Sequence, residues 1–230
     1  MPKFALILPA AGQSVRYGTG NSKLLEMLAG MPVIARAIQP FLQRPDLAKI
    51  IIPCNEPSAM KESLRGFSTD PRIEFCAGGA SRADSVCKAL LRASQGVEWI
   101  AVHDAARPLV SPQLIESTLL AAQKHGAAVP ALPAGLTIKQ ATGPLPAKVE
   151  RTLPRQSLWT MQTPQIMRRS DLLRAFETCP LPLDQVTDDV QLLELAGNEV
   201  WLVPGEERNL KITTPMDLRI AELWLAMRRG

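Results

Sequence analysis

The chain has 230 residues, 46% of them hydrophobic, and a formal net charge of +4. That suits one globular domain with a large core and leaves no apolar span long enough for a membrane helix. The mild positive excess forms no long basic block and only 4% of residues are aromatic, which sets nucleic acid aside and suits an anionic small molecule.

The first apolar run, Phe4 to Leu8, is short enough for one buried strand. It is too short and too early for a secretory leader. At Pro9 it gives way to Ala10, Ala11 and Gly12, small residues that let a ligand approach the main chain. Arg16 and Lys23 follow. Backbone N–H groups at a strand tip beside two cations suit a polyphosphate. Taken alone, a plain strand-to-helix turn with solvated charges fits the stretch equally well. It is not a Walker A motif, and it lacks the Gly-x-Gly-x-x-Gly of a dinucleotide turn.

Val33, Ile34, Ala37, Ile38, Phe41 and Leu42 recur at helical spacing, with Pro32 at the first turn and Pro40 as a kink. Lys49 to Cys54 reads as a strand, Ser58 to Leu64 as a weakly marked helix, and Ile73 to Cys76 as a strand before Gly78 and Gly79. Ser81-Arg82-Ala83-Asp84 reads as a capping box. Trp99 to Val102 is the next strand, Ser111-Pro112 opens a helix ending near Gly126, and Ala127 to Ala131 is again strand-like. Strands and helices in alternation imply an α/β fold, a mostly parallel, doubly wound sheet covered on both faces.

From Pro133 to Pro154 the rhythm changes. Two alternating runs around Thr142-Gly143-Pro144 suggest a β-hairpin arm within residues 133–156, though a loose Pro-rich loop fits too. A lone hairpin has too little apolar surface to stand by itself, so a second copy of the chain is its natural partner. Trp159 to Gln162 resumes as a strand. Ser170 and Thr187 are placed as helix N-caps, and Val200–Val203 and Leu210–Thr213 as short strands. Thr214-Pro215-Met216-Asp217 opens the last helix, which closes with Arg228 and Arg229.

Ligands of open parallel sheets bind beyond the carboxyl ends of the strands. Asp104 stands just past an apolar strand, where a carboxylate can hold Mg²⁺ alongside substrate phosphates. A lone loop aspartate is more often a cap; Arg16, Lys23, Arg107 and Lys211 near the same strand ends favour the metal. His103 reads as a structural neighbour, since no local motif supplies a Ser or Cys nucleophile. Cys54, Cys76, Cys87 and Cys179 form no C-x-x-C pair and read as buried thiols in a reducing, cytoplasmic setting.

Six blocks carry a resemblance over nearly the whole chain. They are Pro9-Ala10-Ala11-Gly12 with Arg16 and Lys23; Gly79 with Arg82-Ala83-Asp84-Ser85-Val86; Val102 to Pro108; Thr163-Pro164-Gln165; Thr187-Asp188; and Asn209 to Pro215. In that order they resemble the 2-C-methyl-D-erythritol 4-phosphate cytidylyltransferase family of the non-mevalonate isoprenoid pathway. The resemblance implies a Rossmann-like, three-layer nucleotidyltransferase that joins CTP to a sugar-alcohol phosphate, with Mg²⁺ as cofactor and pyrophosphate as leaving group. It also implies a homodimer whose arms cross. It assigns catalysis to Arg16, Lys23 and Lys211, and CTP binding to Pro9, Ala10, Ala11, Gly12, Gly79, Ser85 and Asp104, the last also serving the metal. It assigns the acceptor to Arg107, Thr137, Arg155, Thr163 and Thr187, with Thr137 and Arg155 reaching a partner's site.

Ser14 stands where the family usually has Gly, and Leu136 and Pro154 where it often has Asp. A ribitol 5-phosphate cytidylyltransferase shares most of these blocks, and an inactive nucleotide-binding homologue is the alternative of a different class. The chemistry itself needs no protein base: a phosphate monoester with a second pKa of about 6 is already largely ionised near neutral pH. What it needs is cations that bring two anions together.

Overall fold

A computed structural model describes residues 2–12, 22–66, 69–93 and 96–227. Arg16, Ser14, Arg228 and Arg229 lie outside them. In chain order the strands and helices are β1 (Phe4–Ile7), β2 (Met27–Leu28), β3 (Met31–Pro32), α1 (Val33–Leu42), β4 (Leu47–Cys54), α2 (Pro57–Ser63), β5 (Ile73–Ala77), α3 (Arg82–Leu90), β6 (Trp99–Val102), α4 (Pro112–His125), β7 (Ala127–Pro133), β8 (Ile138–Ala141), β9 (Val149–Leu153), β10 (Trp159–Met161), β11 (Gln165–Arg168), α5 (Arg169–Thr178), α6 (Asp189–Leu195), β12 (Trp201–Pro204) and α7 (Pro215–Ala226).

The main sheet runs β5-β4-β1-β6-β11-β7, with β12 and β10 also on β7. Strands β5, β4, β1 and β6 are parallel, while β11 and β10 run against their neighbours. The period of two along β1 splits its side chains. Phe4, Leu6 and Leu8 join one core with Ile34, Ile38 and Phe41 of α1 and Ile115 and Leu119 of α4. Ala5 and Ile7 join the other, with Val86 and Ala89 of α3, Leu172 of α5 and Leu193 of α6. A sheet buried on both faces needs apolar residues of both parities, and β1 is wholly buried. The result is three α/β/α layers.

A third, smaller core joins Leu28, Val33, Leu109, Ile212 and Ala221, with Leu210, Leu218 and Leu225 packed against it. Helix α7 thereby backs the segments that follow Lys23, precede Leu109 and flank Lys211. Strands β8 and β9 form a separate antiparallel hairpin within the expected arm.

Several local expectations change. The sequence marks no strand at β11, which fills the gap between β6 and β7 as an antiparallel insert. Leu210–Thr213 is not a ladder strand, although Ile212 N–H donates to Ala106 O at 2.8 Å. Ser170 is not an N-cap, because α5 starts at Arg169 with Arg168 in the cap position. Asp188, rather than Thr187, caps α6, its carboxylate accepting Gln191 N–H at 3.0 Å. A carboxylate beside the helix N-terminus is the stronger acceptor there. At α3, Ser81 does cap Asp84 N–H, but Asp84 reaches back to Ala80 N–H. The capping box at Thr214 forms fully.

Candidate active site

The chain leaves β1 for β4 and β5 on one side, then returns to β6 on the other. That reversal leaves a crevice outside the carboxyl ends of β1 and β6, where doubly wound sheets hold ligands. A cavity of about 830 Å³ opens there. Its walls come from the segments following β1 (Pro9 to Gly12), β5 (Gly79 to Ser81) and β6 (Asp104 to Ala106), with Lys23, Arg82, Ser85 and Lys211.

The β1 loop is held open by its own backbone. Ala10 N–H donates to Pro53 O at 2.8 Å, while the N–H groups of Ala11 and Gly12 have no partner among the described residues. Gly78 permits the loop's position, since a Cβ there would stand 2.5 Å from the Cβ of Ala11. Gly79 permits the next turn, where a Cβ would collide with the Asp84 carboxylate. Gly79 N–H donates to Ser85 Oγ at 2.9 Å, and that hydroxyl donates to Ser81 O at 2.9 Å. Ser85 therefore braces the wall it lines.

Asp104 is the charged centre. Its Oδ2 receives Lys211 Nζ at 3.0 Å and Arg107 Nε at 3.2 Å; its Oδ1 faces Arg82 Nη2 at the longer distance of 3.8 Å. Burial works against its charge, but Lys211, Arg82 and Arg107 outweigh burial and hold its carboxyl below the ordinary carboxylate range. Arg82 is itself an ion-pair partner of Asp189, at 2.7 Å. Burial disfavours the guanidinium charge, and Asp189 and Asp104 more than restore it.

Behind Asp104, a buried frame fixes the loop. His103 Nε2 lies 3.1 Å from Arg107 O, and Nδ1 lies 2.9 Å from Thr163 Oγ1. A carbonyl only accepts, so Nε2 carries the proton and Nδ1 accepts from the Thr163 hydroxyl. That hydroxyl in turn accepts Asp104 N–H at 3.0 Å. Burial pushes the His103 pKa down to about 4, so the ring is neutral near pH 7.

The cavity thus gathers Pro9, Ala10, Ala11, Gly12, Lys23, Gly79, Ser85, Asp104 and Lys211. Thr163 and Arg107 sit behind it. Thr163 is buried with its hydroxyl used twice, and Arg107 also donates to Asn209 O at 2.7 Å and Met161 O at 3.3 Å. Thr187, Thr137 and Arg155 do not line it. Thr187 is exposed and donates from both N and Oγ1 to Gln191 Oε1; Arg155 donates to Gly135 O at 2.8 Å. Arg16 lies outside the described residues. The sequence marks Arg82 only as part of the Arg-Ala-Asp-Ser block and Asp189 only beside a helix cap, and the fold brings the two together.

Among the described residues no three His, Cys, Asp or Glu side chains cluster as a metal cage. Mg²⁺ does not require one: it takes one or two carboxylates and completes its shell with phosphates and water. Asp104 is the carboxylate lining the cavity, and with its Oδ2 engaged by Lys211 and Arg107, Oδ1 is the oxygen that could hold such an ion.

A doubly wound sheet with a small-residue loop, two lysines and one carboxylate at its switch point suits a protein that handles a phosphorylated nucleotide. The comparisons narrow the class. Residues 4–227 match the family model described as IspD, 2-C-methyl-D-erythritol 4-phosphate cytidylyltransferase. The enzyme of that name from Bacillus mycoides is 37% identical over 228 residues, covering 98% of this chain and 99% of its own length. The bifunctional enzyme IspD/IspF of Desulfotalea psychrophila is also 37% identical over 227 residues, 98% of this chain but 57% of that protein. The crystal structure of the Francisella tularensis enzyme superposes with a TM-score of 0.83 at 31% identity, covering 96% of this chain and 99% of that one. The chain belongs to the 2-C-methyl-D-erythritol 4-phosphate cytidylyltransferase family and is a nucleotidyltransferase.

Proposed function

We propose that the chain moves CMP from CTP to 2-C-methyl-D-erythritol 4-phosphate, releasing pyrophosphate, in isoprenoid precursor synthesis. The observation that carries the reading is the convergence of Lys23, Lys211 and Asp104 with the Ala11 and Gly12 N–H groups on one cavity. In this reading the triphosphate lies on those N–H groups and Lys23, and Gly79 and Ser85 bound the base; the role expected of Arg16 falls outside the described residues. Lys211 faces the α-phosphoryl group, where charge is most crowded as the two anions meet. Asp104 would hold Mg²⁺ through Oδ1, and the bound ion would neutralise charge on the phosphates. Arg107 and Thr163 act by fixing Asp104. The acceptor's phosphate oxygen attacks without a protein base, consistent with a buried, neutral His103.

Thr137, Arg155 and Thr187 stay in the reading as acceptor contacts. The first two belong to the arm region and do not line their own chain's cavity. That placement supports a homodimer in which each arm serves the other copy. Four free cysteines, two of them buried, support a reducing cytoplasm. No helix among the described residues is long and apolar enough to cross a membrane.

The test is pyrophosphate release from CTP with methylerythritol phosphate and, in parallel, ribitol 5-phosphate. Faster turnover with the first supports the reading. Faster turnover with the second reassigns the acceptor, and CTP binding without turnover on either marks an inactive homologue.

A further inference from the structure

Arg82 stands between two carboxylates. Its Nη2 lies 2.7 Å from Oδ2 of Asp189 and 3.8 Å from Oδ1 of Asp104. Asp189 is fully buried, and neither of its carboxylate oxygens finds an aligned hydrogen bond among the described residues, the 2.7 Å approach of Arg82 included. Its N–H is taken by Gln165 Oε1 at 3.0 Å, so that contact anchors only the backbone. A buried carboxylate paired to one guanidinium contributes little net stability, because desolvation cancels much of the attraction. Stability is therefore a weak reason for the pair.

Its geometry offers a better one. Oδ2 of Asp104 is engaged by Lys211 and Arg107. Oδ1 is the other oxygen, and the Arg82 guanidinium facing it is held about an ångström short of a charge-assisted hydrogen bond. Asp189, on the N-terminal turn of α6, is the group that holds it there.

We propose that Asp189 is a positioning residue acting through Arg82: it keeps the guanidinium off Oδ1 of Asp104 and leaves that oxygen open to the divalent cation accompanying the triphosphate. The proposal rests on the reading of Asp104 as the cation's protein ligand.

The experiment measures Mn²⁺ binding by electron paramagnetic resonance of the free ion, on the full chain with CTP and no acceptor. Asp104→Ala weakens Mn²⁺ binding. Asp189→Asn weakens it about tenfold, the lower end of what loss of an outer support does to a metal site. Adding Arg82→Gln to Asp189→Asn brings affinity back toward wild type, because no guanidinium remains to cover Oδ1. Unchanged affinity in Asp189→Asn, with loss in Asp104→Ala, overturns the proposal and leaves the role of Asp104 standing. Unchanged affinity in Asp104→Ala overturns the metal reading beneath it. Should Asp189→Asn alone not fold, the Arg82→Gln background carries the test. There a further Asp189→Asn change leaves Mn²⁺ affinity unmoved, and a shift beyond about threefold shows that Asp189 does not act through Arg82.

Discussion

The hydroxyl of Thr163 donates to Nδ1 of His103 across 2.9 Å, joining the β10–β11 connection to the segment that carries Asp104. The same oxygen accepts Asp104 N–H, so Thr163→Val leaves two buried polar groups without partners. Each such loss costs about 1–3 kcal/mol. The expected outcome is a lower denaturation midpoint together with lower turnover, both recovered in Thr163→Ser. Wild-type stability in Thr163→Val would place the residue at the substrate alone.

His103 ties stability to pH. Its pKa in the folded chain is about 4, against an unfolded value near 6.5. Between those values the unfolded chain binds the extra proton and the folded chain does not, so the contribution is full above pH 6.5. It is lost as pH falls toward 4, by about 3 kcal/mol in all. Urea denaturation at intervals from pH 7 to 4 shows this as a falling stability. The fall is shallower in His103→Gln, and parallel curves for the two proteins would rule the histidine out as its source.

Gly78→Ala drives a methyl group into Ala11. Overpacking of this kind costs about 1–3 kcal/mol, here as displacement of the loop bearing the Ala11 and Gly12 N–H groups. The KM for CTP is expected to rise about tenfold or more, with Ala11→Gly in the same chain restoring much of it. No rise, or no rescue, separates Gly78 from the nucleotide.

Lys23→Ala and Lys211→Ala each remove one cation from the cavity. By analogy with the loss of an oxyanion donor, each lowers turnover by roughly 2.7–4 kcal/mol of barrier. Steady-state rates at saturating CTP and acceptor measure this. A wild-type rate in either variant removes that lysine from the chemistry.

Much of the site was legible because single strands end in it. Phe4 to Leu8, Ile73 to Cys76 and Trp99 to Val102 are short, mostly apolar runs, each followed closely by small or polar site residues, so strand ends and site loops are read together. The pattern failed where partners are distant or runs ambiguous. Gln165–Arg168 has only two apolar residues in four, and it becomes a strand because β6 and β7 leave a slot for it. Leu210 and Ile212 alternate like a strand, yet they are spaced to seat in the third core on either side of Lys211. The Arg82–Asp189 pair spans α3 and α6, and no local spacing announces a contact between two helix N-termini.

The central claim is that this chain's own side chains position two phosphates for direct displacement, with no covalent intermediate. The candidates for a nucleophile fit poorly: His103 is buried and neutral, and burial pushes the Cys54 thiol up to about 11. The stereochemical course at the α-phosphorus tests this most directly, using CTP with a chiral α-phosphorothioate and methylerythritol phosphate as acceptor. Inversion is the predicted result; retention would contradict the account, because it requires two displacements and a CMP–enzyme intermediate.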